Sequence, residues 1–361
     1  MEPVTHFLTG ACLSRTGFNR KTAYATLAMT LAAEAADLDM LWGFRGPVTL
    51  LQHHRGFTHT FLGAPVVALA VVAFVWLVHR WRKKPPALAP RWGLLYLFAL
   101  IAALSHILLD YTNNYGVRPF FPFNPHWYAW SIVFIFDPVI FVALLMSFFM
   151  PWIFGLTDRE IGARRTRFPN NFPGRGWSIA ALIFIVLWWS LRNAEHAHAI
   201  ELVRNGDYIH QPITRINAEP SMADPFAWRV VAETSNFYRV IEVHTLNNDV
   251  ATDTAQTIYK PEVTPAVAAA KQSYLGRVYL DWSMFPLVTD LGANSAVDMC
   301  ANAAPPTAGG LGKAPPPLRL IHFQDLRFYN PITGRDALSA WACVDSINRV
   351  EAMFMSGHEQ K

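Results

Sequence analysis

The sequence predicts an α-helical multi-pass membrane domain followed by a soluble, strand-rich α+β domain. Three observations carry that expectation. Of the 361 residues, 52% are hydrophobic and only 16% charged, and the mean hydropathy of +0.19 is high for a soluble chain of this length. The long apolar runs lie almost entirely before about residue 194. From there on the composition is that of an ordinary soluble protein. The expected domains are therefore a membrane-embedded helical region, 1–194, and an extracytoplasmic α+β region, 195–361.

The helical region reads as follows. Residues 61–79, 92–112, 129–156 and 176–194 are apolar runs, each long enough to cross about 30 Å of hydrocarbon at about 1.5 Å per residue. The third is interrupted by Asp137-Pro138, and the fourth is rich in Trp. Residues 22–41 form a weaker candidate, Ala-rich and ending on Glu34, Asp37 and Asp39. Residues 4–14 are too short for an ordinary span and read as a partial or inserted helix. The N-terminus lacks the basic stretch of a cleavable signal peptide.

Loop charges orient these segments. Arg15, Arg20 and Lys21, then Arg80, Arg82, Lys83, Lys84 and Arg91, then Arg159, Arg164, Arg165, Arg167 and Arg175 fill three basic loops. The positive-inside rule places all three in the cytoplasm. Loops 42–60 and 113–128 then lie outside, and the last span delivers the C-terminal region outside as well. A pI near 9.0 therefore reflects membrane orientation and not a nucleic-acid surface. The expected partners are membrane lipids and a small or lipid-linked substrate.

In the C-terminal region WRVVAET, FYRVIEVHTL and AQTIYK have strand composition, as do RVYLDWSMF, LRLIHFQDLRFY and ALSAWACVDSI. TPAVAAAKQSYL reads as a helix, and 301–317 as a Pro/Gly/Ala-rich flexible loop. Of the three Cys, Cys12 is expected to be a packed thiol. Cys300 and Cys343 can pair only if their domain faces an oxidising compartment.

Ionisable groups at the ends of apolar segments are costly, and their default reading is a functional site. Here they are His6, Asp37, Asp39, His54, His59, His106 and Asp110. His106 and Asp110 are four apart on an expected helix and share one face. His54 and His59 flank Arg55-Gly56-Phe57-Thr58, where Gly56 permits a tight turn. Of Asp37 and Asp39, one can ligate while the other orients a His or acts as base. Threading puts these groups at the outer side. His6 is about nine residues from Arg15, or about 13 Å of helix, and reaches toward the same level. Mixed His and carboxylate donors suit zinc, as one or two ions, with Mn or Fe as alternatives. Such a metal lowers the pKa of bound water to about 7, and two metals suit phosphoester cleavage. Asp37 and Arg55 are the expected catalytic residues, Arg55 as partner of a phosphate or developing oxyanion.

THFLTG at 5–10, DLD at 37–39, HRGFTHT at 54–60 and LSHILLDYTNNYGVRPFFPF at 104–123 resemble the YdjM-like family of bacterial inner-membrane proteins, classed as metal-dependent hydrolases. The resemblance covers about residues 1–155. It implies that the seven His and Asp residues above are the metal and active-site residues. The chain departs from the family in Ala36, where Pro is usual, and Met40, where His is frequent. The expectation is a membrane-bound metal-dependent hydrolase acting near the outer face of the inner membrane on a phosphoester or lipid-linked substrate. The alternatives are a receptor or scaffold with a structural metal, and a metal or proton transporter.

Overall fold

The computed structural model describes residues 1–160, 174–206, 208–222, 224–293, 300, 318–330, 335–355 and 358–360. The expected loop 301–317 and the basic residues Arg164, Arg165 and Arg167 lie outside these. The chain is a helical membrane region followed by a domain rich in antiparallel strands. It falls into two compact units. One holds Met1–Asp39, Arg55–Ala199 and Glu219–Trp228, and the other holds Met40–His54, Ile200–Ala218 and Arg229–Lys361.

The first unit is built from α1 (Pro3–Arg15), α2 (Ala25–Glu34), α4 (Gly63–Trp81), α5 (Trp92–Thr112), α6 (Pro138–Glu160) and α7 (Arg175–Asn205, as far as Ala199), with α3 (Pro47–His53) falling in the second unit. α4, α5 and α7 are long and apolar enough to cross a membrane, and Pro138–Phe154 of α6 is a shorter apolar helix. Val66, Leu69 and Phe74 of α4 and Ile183, Val186 and Leu187 of α7 are exposed, as residues facing acyl chains would be.

The helices match the apolar runs, with three informative differences. The helix expected from 129 starts only at Pro138. The Asp137 carboxylate accepts the N–H groups of Val139 (2.9 Å) and Ile140 (3.0 Å), and Pro at the first helical position needs no N–H partner. Residues 128–133 are instead non-helical, with isolated β-bridges pairing Val117 with Tyr128 and Asn113 with Val133. α7 continues to Asn205 instead of ending near 194, because no helix breaker precedes Gly206. α2 ends at Glu34, and Ala35–Arg45 tightens into a 3-10 helix carrying both Asp37 and Asp39.

α1 and α2 approach unusually closely. A Cβ on Gly10 would stand 2.6 Å from the Met29 carbonyl oxygen and 2.7 Å from Cβ of Ala33. Small residues at such crossings let backbones meet. Ala28, Met29, Ala32 and Ala33 then pack with Val71 and Val75 of α4 and Leu95, Phe98 and Ala99 of α5.

Basic segments share one end of this unit. Ala23 N–H donates to Ala89 O, Arg91 N–H to Thr22 Oγ1 (2.7 Å), and Arg175 Nε to Thr16 O (2.8 Å). Arg82 lies over the Tyr24 ring. α5 leaves that end at Trp92, so His106 sits about 21 Å further along the helix.

The second unit contains β1 (Arg215–Pro220), β2 (Ala227–Glu233), β3 (Phe237–His244), β4 (Asp249–Tyr259), α8 (Pro265–Gln272), α9 (Tyr274–Trp282), β5 (Pro286–Asp290), β6 (Arg319–Asp325), β7 (Tyr329–Asn330), β8 (Arg335–Asp336), β9 (Ala340–Val344), β10 (Val350–Met355) and β11 (His358–Glu359), with the last end of β1 and the first end of β2 assigned to the other unit. The strands form a meander β1-β2-β3-β4, a sheet in the order β11-β10-β9-β6-β5 and a β7-β8 pair. RVYLDWSMF, expected as a strand, is mostly helix α9. Leu275, Val278, Tyr279 and Trp282 are buried at helical spacing, and the Ser273 hydroxyl caps the start through Gly276 N–H. The helical period outweighed the β-favouring composition. Cys300 and Cys343 form a disulfide, packed with Leu318, Leu320 and Ala352. Cys12 is a buried free thiol. α3 belongs here because Gln360 accepts from Val48 N–H (2.8 Å), and Tyr274 OH donates to Gln52 Oε1 (2.7 Å).

Candidate metal centre

Four side chains meet in the first unit. Asp37 comes from the 3-10 helix, His59 from a short 3-10 turn at Phe57–His59, and His106 and Asp110 from the far end of α5. One ligand atom from each lies within 4.8 Å of all the others. His59, His106 and Asp110 are buried, and Asp37 is the most accessible of the four.

Neighbouring groups fix which ring nitrogen faces inward. His106 Nδ1 is 2.6 Å from the Ala33 carbonyl oxygen. A carbonyl only accepts, so Nδ1 carries the hydrogen and a neutral His106 presents the Nε2 lone pair to the site. His59 Nδ1 is 3.1 Å from Asp39 Oδ2, which likewise leaves Nε2 for the site. The two Nε2 atoms are 2.9 Å apart. Asp37 Oδ1 is 3.2 Å from His59 Nε2 and 3.5 Å from His106 Nε2. Asp110 Oδ2 is 3.4 and 3.6 Å from the same two atoms.

Two lone pairs and two carboxylates pointing at one spot repel each other unless a positive charge sits among them. Asp110 Oδ2 is buried and has no hydrogen-bond partner among the described residues, which is costly in a dry site. A divalent cation satisfies both conditions, and the His2Asp2 donor set suits zinc, manganese or iron. Electrostatics around His59 show the same demand. Burial alone would lower its pKa, yet Asp110, Asp37 and Asp39 raise it to about 10. Without a metal, a proton on His59 supplies the missing charge. Burial raises the Asp37 pKa, but the His106 and His59 imidazoles more than offset this and hold the carboxyl well below its usual range.

Asp39, His6 and Arg55 surround this core. Asp39 orients: its Oδ2 accepts from Arg55 N–H (3.0 Å) and Thr58 OH (2.8 Å) as well as facing His59. That is the carboxylate–histidine arrangement that sets ring orientation in metal sites. His6 stacks on His106 at 3.7 Å between ring centroids, and its Nε2 is 3.4 Å from Asp110 Oδ1. Among the described residues its Nδ1 is buried without a hydrogen-bond partner. The backbone nitrogen of Met1 also meets Asp110 Oδ1. His54 ends α3 as its C-cap residue and belongs to the second unit.

Arg55 is turned inward. Its φ of +55° places it in the left-handed region, and its guanidinium is buried. Nη2 donates to Asp110 Oδ1 (2.9 Å), and Nη1 to Asn113 Oδ1 (3.1 Å) and Gly116 O (2.9 Å). The group also covers the Tyr115 ring at 4.6 Å. Asn113 is thus part of the site's frame, as are Thr58 and the Ala33 carbonyl. Thr58 was visible within HRGFTH; a backbone carbonyl leaves no side-chain signal.

Comparison with known proteins places the residues of this centre within a family match. The model of the YdjM inner membrane protein family matches residues 1–199, which contain every residue of the centre. The chain is 26% identical over 294 residues to a Bacillus subtilis (strain 168) protein described as "Uncharacterized protein YfhP", covering 78% of this chain and 80% of that one. That match is longer than the family's and takes in part of the C-terminal region. No solved structure matches. With the family model spanning more than half of its length, the chain belongs to the YdjM inner membrane protein family.

Proposed function

We propose that this protein is a membrane-bound metal-dependent hydrolase acting on a phosphoester or lipid-linked substrate near the outer face of the inner membrane. The convergence of Asp37, His59, His106 and Asp110, with both imidazoles oriented Nε2-inward, carries the reading. A divalent ion bound there would supply Lewis-acid activation of water at neutral pH. His59, His106 and Asp110 hold it from the buried side. Asp37, the most accessible of the four, is the group placed to accept a proton from the attacking water. Arg55 positions Asp110 and balances its charge, because its terminal nitrogens are engaged within the protein. Asp39 keeps His59 in the ligating tautomer.

The outer-face placement rests on the basic segments at the opposite end of the helices. The Cys300–Cys343 disulfide supports an oxidising location for the C-terminal domain. C-terminal reporter fusions test this: activity of a cytoplasm-dependent reporter would overturn it.

The deciding experiment combines metal analysis of the purified full chain with hydrolysis of an aryl phosphodiester and of phospholipid vesicles. Wild type should hold about one to two ions and His106→Ala almost none, with hydrolysis falling by at least about 100-fold. Metal retained by His106→Ala would sink the site. Metal bound with every ester left intact would instead favour a structural metal.

A further inference from the structure

Outside the metal centre, the first unit has an apolar groove of about 580 Å³ between α6 and α7. Pro138, Val142 and Met146 line one wall, and Trp177, Ala180 and Phe184 the other. From Pro138 to Ser147 it runs about 13 Å along α6. Val142, Met146, Trp177 and Phe184 are substantially exposed, so the groove opens sideways, toward the acyl chains in a membrane. Ser147 is its one hydroxyl, and it is already committed to the Leu144 carbonyl (2.6 Å). Nothing in the lining asks for a polar occupant.

The two ends differ. The Pro138 end is closed in charge terms, because Asp137 is consumed by α6 N–H groups and by Trp188 Nε1. Just beyond the Ser147 end, the Arg15 guanidinium lies 4.7 Å over the Phe148 ring. Among the described residues its Nη1 is buried without a hydrogen-bond partner. Arg175 is anchored there through Nε to Thr16 O (2.8 Å). A Cβ on Gly174, the residue before it, would stand 3.6 Å from Arg15 Cζ. Two guanidinium groups thus share one end of a hydrocarbon-lined slot. Among the described residues no carboxylate pairs with either. They lie at the basic end of the helices, where anionic lipids are attracted.

We infer that this groove is a binding site for an anionic glycerophospholipid, with one acyl chain between α6 and α7 and the phosphate at Arg15 and Arg175. Shape and charge agree on an amphipathic occupant. A hydrocarbon tail fills the slot without leaving polar atoms unpaired, and a phosphate supplies the acceptor that Arg15 Nη1 lacks. The site lies at the end opposite the metal centre and stands independently of the hydrolase reading.

Native mass spectrometry of the full chain, released from mixed phosphatidylglycerol and phosphatidylcholine nanodiscs, tests it. Wild type should retain phosphatidylglycerol over phosphatidylcholine by roughly 30-fold, as two basic contacts would give. The double variant Arg15→Gln/Arg175→Gln should bring the ratio near one, and Arg15→Lys/Arg175→Lys should restore most of it. Ala180→Trp, which fills the slot from its exposed wall, should reduce retention of both lipids. Metal content, measured alongside, should not change in any variant and reports that they fold. Equal retention of the two lipids by wild type, or a preference that survives loss of both charges, would overturn the proposal. Undiminished retention in Ala180→Trp would show a surface headgroup contact only and would overturn the groove.

Discussion

The Nε2 atoms of His59 and His106 face each other at 2.9 Å, and neither ring can turn away. His106 is held from behind by the Ala33 carbonyl, and His59 by Asp39. The close passage of α1 past Gly10 brings α2, and with it Ala33, to where α5 can be gripped. Helix packing thus presets the imidazole orientations. A cation arriving between them meets lone pairs already aimed, which lowers the reorganisation cost of binding.

Asp39 therefore acts through His59. Replacing it by Asn keeps the volume but removes the charge facing Nδ1–H. The Arg55 N–H and Thr58 hydroxyl can still find an oxygen, so the local turn survives. Asp39→Asn is expected to weaken zinc affinity by about 10–100-fold while leaving the unfolding temperature of the metal-free protein nearly unchanged. An unaltered zinc affinity by competition with a chelating dye would refute the orienting role.

Arg55 presents the complementary case, a buried cation against a buried carboxylate. Removing one partner of such a pair typically costs about 3–5 kcal/mol. Arg55→Gln should therefore destabilise the metal-free protein by that order. Bound metal neutralises Asp110 independently, so saturating zinc should stabilise the variant more than wild type. Thermal unfolding with and without zinc measures both. Equal zinc-induced shifts in the two proteins would argue against charge compensation at Asp110.

How much of this was legible beforehand follows the physics of each signal. His59, His106 and Asp110 stood out because charged and polar groups beside hydrocarbon are expensive, and the i,i+4 spacing on an evident helix placed two of them on one face. The spacing of Asp37 and Asp39 said that their roles differ but not which is which. That depends on the 3-10 winding of Ala35–Arg45, which composition does not announce. Arg55 was expected to face a phosphate or oxyanion, because nothing in HRGFTH reveals that Asn113 and Gly116 O receive its Nη1. In the C-terminal domain the β-favouring residues of RVYLDWSMF hid a helix whose apolar period was nevertheless present. The β5 segment PLVTD was too short to stand out.

The Cys300–Cys343 bond joins residues 43 apart. Closing a loop of that size restricts the unfolded chain, and removing such a bond typically costs about 2–5 kcal/mol. Cys343→Ala should lower the unfolding free energy of the C-terminal domain by that amount without changing metal content, since the centre lies in the other unit. Maleimide labelling under denaturing, non-reducing conditions should find one reactive thiol per chain, Cys12. Three reactive thiols in freshly purified protein would contradict the bond.

Asp325 supplies the pH dependence. Its Oδ2 accepts from Ser283 OH (2.6 Å), Met284 N–H (2.8 Å) and Arg327 Nη2 (2.8 Å), tying the end of α9 to β6. Burial pushes its pKa up, but Arg327 and these donors overcome that and hold it below the usual carboxylate range. The folded state thus binds this proton less readily than the unfolded chain, where an Asp titrates near about 3.9. The stabilisation is fully present above that pH and is lost as pH falls toward the folded value. Asp290 and Asp336 are lowered as well and add the same sign, so the comparison must be with Asp325→Asn. Urea unfolding of the full chain, followed between pH 6 and 2.5, should find the variant clearly less stable at pH 6. The gap should narrow steadily below about pH 4. A gap that stays constant down to pH 2.5 would mean that packing, and not the ionised carboxylate, is what Asp325 contributes.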